Sequence, residues 1–179
     1  LDVNQQVSVL NVAGSIYMMA GNYPMARTAF EQLLAKRGDD LAALNNLAFL
    51  MAEHVEPPDV PKALEYSQRA YDVMTKNNLV DANVLDTVGW IYVLSGGAKL
   101  DQGISYLDKS IAAGEIAEAQ YHYGEALMRK NLPEYAKTSL TRANELIDAK
   151  TPVDEVLKKK VEQALLKANK MLGSGAEKQ

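Results

Sequence analysis

The chain has 179 residues, 47% of them hydrophobic and 23% charged, with a net charge of −4 and no cysteine. This composition excludes a disulfide scaffold, a thiolate metal site and a cysteine nucleophile, and the acidic balance argues against a nucleic-acid-binding face. No apolar run approaches the ~20 residues of a membrane span, so no membrane insertion of this segment is expected.

The sequence starts at Leu1 rather than Met, and a longer precursor is the expectation. In the first predicted helix Val7, Leu10, Gly14 and Tyr17 share one face. Val9, Ala13, Ile16 and Ala20 share a second, which predicts packing on two sides. A break near residues 21–24 combines a glycine, suited to ending a helix, with a proline suited to starting the next. The second helix carries Ala26, Phe30, Leu33 and Leu34 and stops at residues 37–40. The next pair sets Leu44, Leu47, Ala48 and Met51 against Ala63, Tyr66, Ala70 and Val73. The third sets Leu85, Val88, Gly89 and Tyr92 against Gly103, Leu107, Ile111 and Ala113. The fourth sets Tyr123, Gly124 and Leu127 against Ala136, Leu140 and Ala143. Breaks inside these hairpins are expected near residues 54–61, 95–101 and 131–133, and the first two are longer than a tight turn. Surface length is a sufficient explanation for both, because extra loop residues cost little entropy.

Thr151 and Pro152 are expected to open a last helix over about 152–172, with Asp154 and Glu155 in its first turn. Val153, Val156, Leu157, Val161, Ala164, Leu165, Ala168 and Met171 form one apolar stripe, which suits a helix that caps one end of a stack. Residues 173–179 read as a flexible tail. The amino end has no such cap, so preceding repeats are expected. The domain division is therefore four hairpins over about 7–40, 41–81, 82–116 and 117–150, then a capping helix over 151–172.

The small residues Gly14, Ala48, Gly89 and Gly124 stand in matching surroundings, 34, 41 and 35 residues apart. That period, with insertions, is the length of a two-helix repeat. The pattern resembles the tetratricopeptide repeat over about residues 7–150, most fully in Leu10, Ala13, Gly14, Tyr17, Ala26 and Phe30. Residues 44–48 and 85–90 are similar to bacterial arrays of this family, some of them tied to envelope polysaccharide export or protein sorting. The resemblance implies an all-α right-handed superhelix of four hairpins plus a C-terminal capping helix, with a lean towards an extracytoplasmic place. Departures are Gly38, Thr75 and Asp148 where the family closes a unit with proline, Ser67 in place of an aromatic residue, and Leu10, Leu44 and Leu85 in place of tryptophan.

No catalytic, cofactor-binding or metal-binding residue is expected. His54 and His122 lack ligand spacing, Gly96 and Gly97 are not followed by a phosphate-binding lysine, and no serine sits in a nucleophile elbow. Removing the two packing faces from each first helix leaves a third, and these line the inside of a curved stack. It carries Asn11 and Ser15, then Asn45, Asn46 and Phe49, then Asp86, Thr87 and Trp90, then Tyr121, His122, Glu125 and Arg129. Trp90 is placed on this wall between Phe49 and Tyr121, with plugging of the gap between first helices as the competing role. Aromatic, Met and Arg side chains are what interface cores enrich, and Asn can hold peptide backbone. The partner expected is a protein segment, extended or helical. It is not the acidic chaperone tail that other family members clamp: Asn46 matches one polar clamp position, but Asn11, Asn83 and Thr87 stand where the clamp has charge. The alternative reading is a structural scaffold, self-assembling as a homo-oligomer or packing on the rest of its own chain, in a bacterial envelope or export system.

Overall fold

The computed structural model describes residues 2–176. Among them every regular element is helical: α1 (Val3–Met19), α2 (Tyr23–Lys36), α3 (Leu41–Glu53), α4 (Val60–Lys76), α5 (Ala82–Ser95), α6 (Leu100–Ala113), α7 (Ala117–Arg129), α8 (Pro133–Asp148) and α9 (Glu155–Ala176), with a short 3-10 turn at Gly97–Lys99. The chain divides into two compact units, Leu1–Val80 and Asp81–Gln179. The first holds the hairpins α1–α2 and α3–α4. The second holds α5–α6, α7–α8 and α9.

The helix starts follow from orphan backbone N–H groups, which a short acidic or amide side chain satisfies. Asp2 accepts from the N–H of Gln5 at 2.9 Å, Asp40 from that of Ala43 at 3.1 Å, and Asp59 from that of Lys62 at 3.0 Å. Asp81 does the same for Asn83 at 2.9 Å. Pro24, Pro61 and Pro133 occupy first-turn positions where no N–H is needed. Three helices end alike. Gly21, Asn78 and Asn131 adopt left-handed backbone, and the next N–H turns back onto Tyr17, Met74 and Leu127.

The repeated small residue marks where the two helices of a hairpin cross. A Cβ on Gly14 would stand 2.5 Å from the Phe30 ring, and one on Gly124 would stand 2.6 Å from Leu140 Cγ. In the third hairpin backbones meet: a Cβ on Gly89 would lie 2.9 Å from the Leu107 nitrogen, and one on Gly103 would lie 2.8 Å from the Gly89 carbonyl oxygen. The Ser110 hydroxyl closes the same hairpin by donating to the Ala82 carbonyl at 2.7 Å. Ser67 is fully buried and donates to the Leu64 carbonyl at 3.1 Å, so a small polar residue is satisfied at this position.

Two expectations about the carboxyl end change. The last helix begins at Glu155, because Asp154 and not Thr151 caps it, accepting from the Leu157 N–H at 2.9 Å. The residues 173–176 assigned to a tail continue α9, since a glycine inside a helix costs only ~1 kcal/mol. Residues 177–179 lie outside the described residues. A third change concerns α1. Its expected second packing face, with Val9 and Ile16, is exposed, because none of the described residues covers it.

α9 packs on α8 and α7, burying Leu157, Val161, Ala164 and Ala168 with Ala117, Leu140, Ala143 and Ile147. Lys158 adds an ion pair to Asp148 at 2.7 Å, and the carboxylate raises the ammonium's pKa. At the α6–α7 link, Arg142 grips both oxygens of Glu115 at 2.6 Å and holds that carboxyl below its usual range. These pairs face solvent, so apolar burial carries the attachment. Burying a Leu or Val side chain is worth ~1.5–3 kcal/mol, so deletion of residues 151–179 is expected to destabilise the second unit by roughly 3–6 kcal/mol. Urea denaturation measures this, and an unchanged midpoint would contradict the capping role.

Candidate functional site

The expected interaction residues hold equivalent positions in the repeat: Asn11, Asn45, Asp86 and Tyr121 correspond, as do Ser15, Phe49, Trp90 and Glu125. The two units are taken in turn.

In the first unit Asn11 is half-buried and Ser15 is exposed, with the Ser15 hydroxyl donating to the Asn11 carbonyl at 2.9 Å. Asn45, Asn46 and Phe49 are half-buried on α3. The Asn45 side-chain oxygen is shut off from solvent and has no hydrogen-bond partner among the described residues. Phe49 meets the His54 ring edge-on at 5.1 Å, and His54 stacks on Tyr23 at 3.7 Å. Sequence reasoning passed over this second contact. Tyr23, His54, Pro24, Arg27, Thr28, Leu50 and Val55 enclose a cleft of about 440 Å³ between α2 and the end of α3. The signal available was the histidine that opens the long α3–α4 link.

In the second unit, Asp86 on α5 and His122 on α7 are both buried, with Asp86 Oδ1 2.8 Å from His122 Nδ1. That contact places a proton on Nδ1, which donates to the carboxylate. The Trp90 ring lies parallel to the His122 ring, with centroids 4.5 Å apart and an interplanar angle of 11°. Tyr121 lies against the histidine ring at a tilt, 5.4 Å away. The Arg129 guanidinium sits over Trp90 at 5.3 Å and donates from Nη1 to the Val93 carbonyl at 2.9 Å. Thr87 is buried beside Asp86 in the chain, and Glu125 is half-buried on α7 between Tyr121 and Arg129.

The structure thus brings Asp86, Trp90, Tyr121, His122 and Arg129 into one cluster. It also alters the picture of an open wall. Trp90 is 7% exposed and belongs to a core with Val93, Leu107 and Ala126. Asp86, Thr87 and His122 are buried as well, because α5 and α7 pack directly on each other in this unit. On this face Arg129 is exposed, and Tyr121 and Glu125 are half-buried. Among the described residues no group of three or more His, Asp or Glu side chains is placed to hold a metal ion, and no helix is long and apolar enough to cross a membrane.

No model of a known protein family matches the sequence, and no curated protein matches it. Solved structures do resemble it. A chain of the APC/C hetero-tetramer Cut9–Hcn1 superposes with a TM-score of 0.68 at 19% identity, over 87% of this chain and 29% of that one. An O-GlcNAc transferase of Thermobaculum terrenum gives 0.69 at 20% identity, over 86% of this chain and 30% of that one. The tetratricopeptide protein TTC0263 of Thermus thermophilus gives 0.65 at 20% identity, over 89% and 81%. The chain thus spans less than a third of the length of the first two. At these identities the likeness establishes the fold, which is of the tetratricopeptide-repeat type.

Removing the Trp90 ring takes a buried aromatic out of a core shared by α5, α6 and α7. Trp90→Ala is therefore expected to cost ~3–5 kcal/mol of stability, measured by urea denaturation. A variant that melts with the parent chain would show the ring to be dispensable for packing.

Proposed function

We propose that this chain is a non-catalytic protein-interaction module that holds an extended or helical segment of another protein along the faces of its first helices. The observation that carries the reading is Arg129. Its guanidinium is exposed, yet it is braced by the Val93 carbonyl and the Trp90 ring, and Nε and Nη2 have no protein partner among the described residues. Holding an Arg in one orientation in advance lowers the entropy lost on binding. Tyr121 and Glu125 flank it, and such aromatic and arginine groups dominate interface energetics. The Cut9–Hcn1 hetero-tetramer, similar in fold, is an assembly of different chains. The net charge of −4 disfavours nucleic acid as the partner. A tail carrying several carboxylates would meet one arginine, on the same helix as Glu125, so we exclude an acidic chaperone tail.

The test is selection from a displayed random-peptide library, followed by calorimetry on the selected peptides. Arg129→Ala is expected to weaken the best binder about tenfold, an effect of ~1.4 kcal/mol, with an unchanged melting temperature. Binders indifferent to Arg129, or no binder at all, would remove the reading.

A further inference from the structure

Glu125 and Arg129 stand one helical turn apart on α7, in the order that favours an ion pair on a helix surface. The same order closes in α4, where Arg69 Nη1 lies 3.7 Å from Glu65 Oε1. Arg27 and Glu31 close at 2.7 Å, Lys62 and Glu65 at 2.8 Å, and Arg142 and Glu145 at 2.8 Å. Glu125 and Arg129 do not close. The guanidinium is held elsewhere, by its Nη1 bond of 2.9 Å to the Val93 carbonyl and by the Trp90 ring 5.3 Å away. Glu125 has neither a hydrogen bond nor an ion pair among the described residues.

Two opposite charges are thus kept one turn apart with neither neutralising the other. Arg129 retains Nε and Nη2, the edge of the guanidinium whose parallel N–H groups match the two oxygens of a carboxylate. Glu125, when ionised, can only accept, and so suits a cation. Four residues of helix advance by roughly 6 Å. Residues two apart on an extended chain point to the same side and are separated by about 6.6 Å. The two spacings agree, so an extended segment lying along α7 meets both charges without bending. A bound helix instead docks through an apolar stripe, and this row is a carboxylate and a guanidinium.

We propose that the segment bound at this face is extended and sets a Lys or Arg against Glu125 and an Asp or Glu against Arg129, two residues apart. The proposal rests on the peptide-binding reading and adds the charge pattern of the partner.

The experiment takes the peptides selected on the parent chain from the displayed library and measures each by calorimetry. Their sequences are expected to share a basic and an acidic residue two positions apart. Glu125→Gln is expected to weaken them about fivefold, the upper range for one solvent-exposed ion pair, with the melting temperature unchanged. Replacing the peptide's basic residue by glutamine is expected to cost the same, and the two changes together no more than either alone, the signature of one shared contact. Arg129→Ala and replacement of the peptide's acidic residue by its amide are expected to behave alike. Binders that need Arg129 but carry no such pair of charges would overturn the proposal and leave the peptide-binding reading standing. So would costs that add, or charges spaced four apart as on a helix. Binders indifferent to Arg129, or no binder at all, would overturn both.

Discussion

Two helices can cross at backbone distance only if neither carries a side chain at the crossing, and this constraint organises the chain. At Gly89 and Gly103 the condition is met on both sides, so that each glycine faces the other helix's backbone. At Gly14 and Gly124 it is met on one side, and Phe30 and Leu140 fill the space from the other. Each crossing fixes how the second helix lies on the first, and hence which faces of the first helix are left for its neighbours. The helix-propensity cost of each glycine is ~1 kcal/mol, and the packing it permits offsets that.

The cluster in the second unit follows from this geometry. Once α6 takes one face of α5, α7 packs on another, and Asp86 is brought to His122 across that contact. Burying a carboxylate is costly unless it is hydrogen-bonded, and the imidazole supplies the bond. Trp90 then stacks on the imidazole and Arg129 on Trp90, which leaves one oriented cation at the surface. The aromatic and histidine groups form a foundation, and fewer residues of this face reach solvent than lie on it.

Much of this was legible in the sequence. The positions of Gly14, Gly89 and Gly124 and the paired 3.6-residue patterns specify the hairpins, because close crossing leaves few residue types possible. The Asp86–His122 contact was not legible as a pair. The two are 36 residues apart, and their meeting depends on how far α7 is rotated against α5, which periodicity does not fix. The role of Trp90 stayed open between wall and packing for the same reason: an aromatic one step off a packing face can fill the space between two helices or line a surface. The exposed face of α1 shows the converse, since an apolar pattern records that a face is suited to burial and not what buries it. At α9 the start shifted because two nearby capping residues competed and the carboxylate of Asp154 made the bond.

The central claim is that the small residue at each crossing sets how closely the two helices of a hairpin pack, most strictly at Gly89 and Gly103. The most direct measurement is the stability of Gly103→Ala against that of Gly14→Ala, both by urea denaturation. A methyl at Gly103 meets the Gly89 carbonyl and the Val93 nitrogen, both at 2.8 Å, which cannot move without parting the helices. At Gly14 the three nearest atoms all belong to the ring of Phe30, a side chain with some freedom to turn. The account predicts a loss of ~3 kcal/mol or more for Gly103→Ala, at the upper end of overpacking costs, and a smaller loss for Gly14→Ala. Equal losses, or a Gly103→Ala protein as stable as the parent, would contradict it.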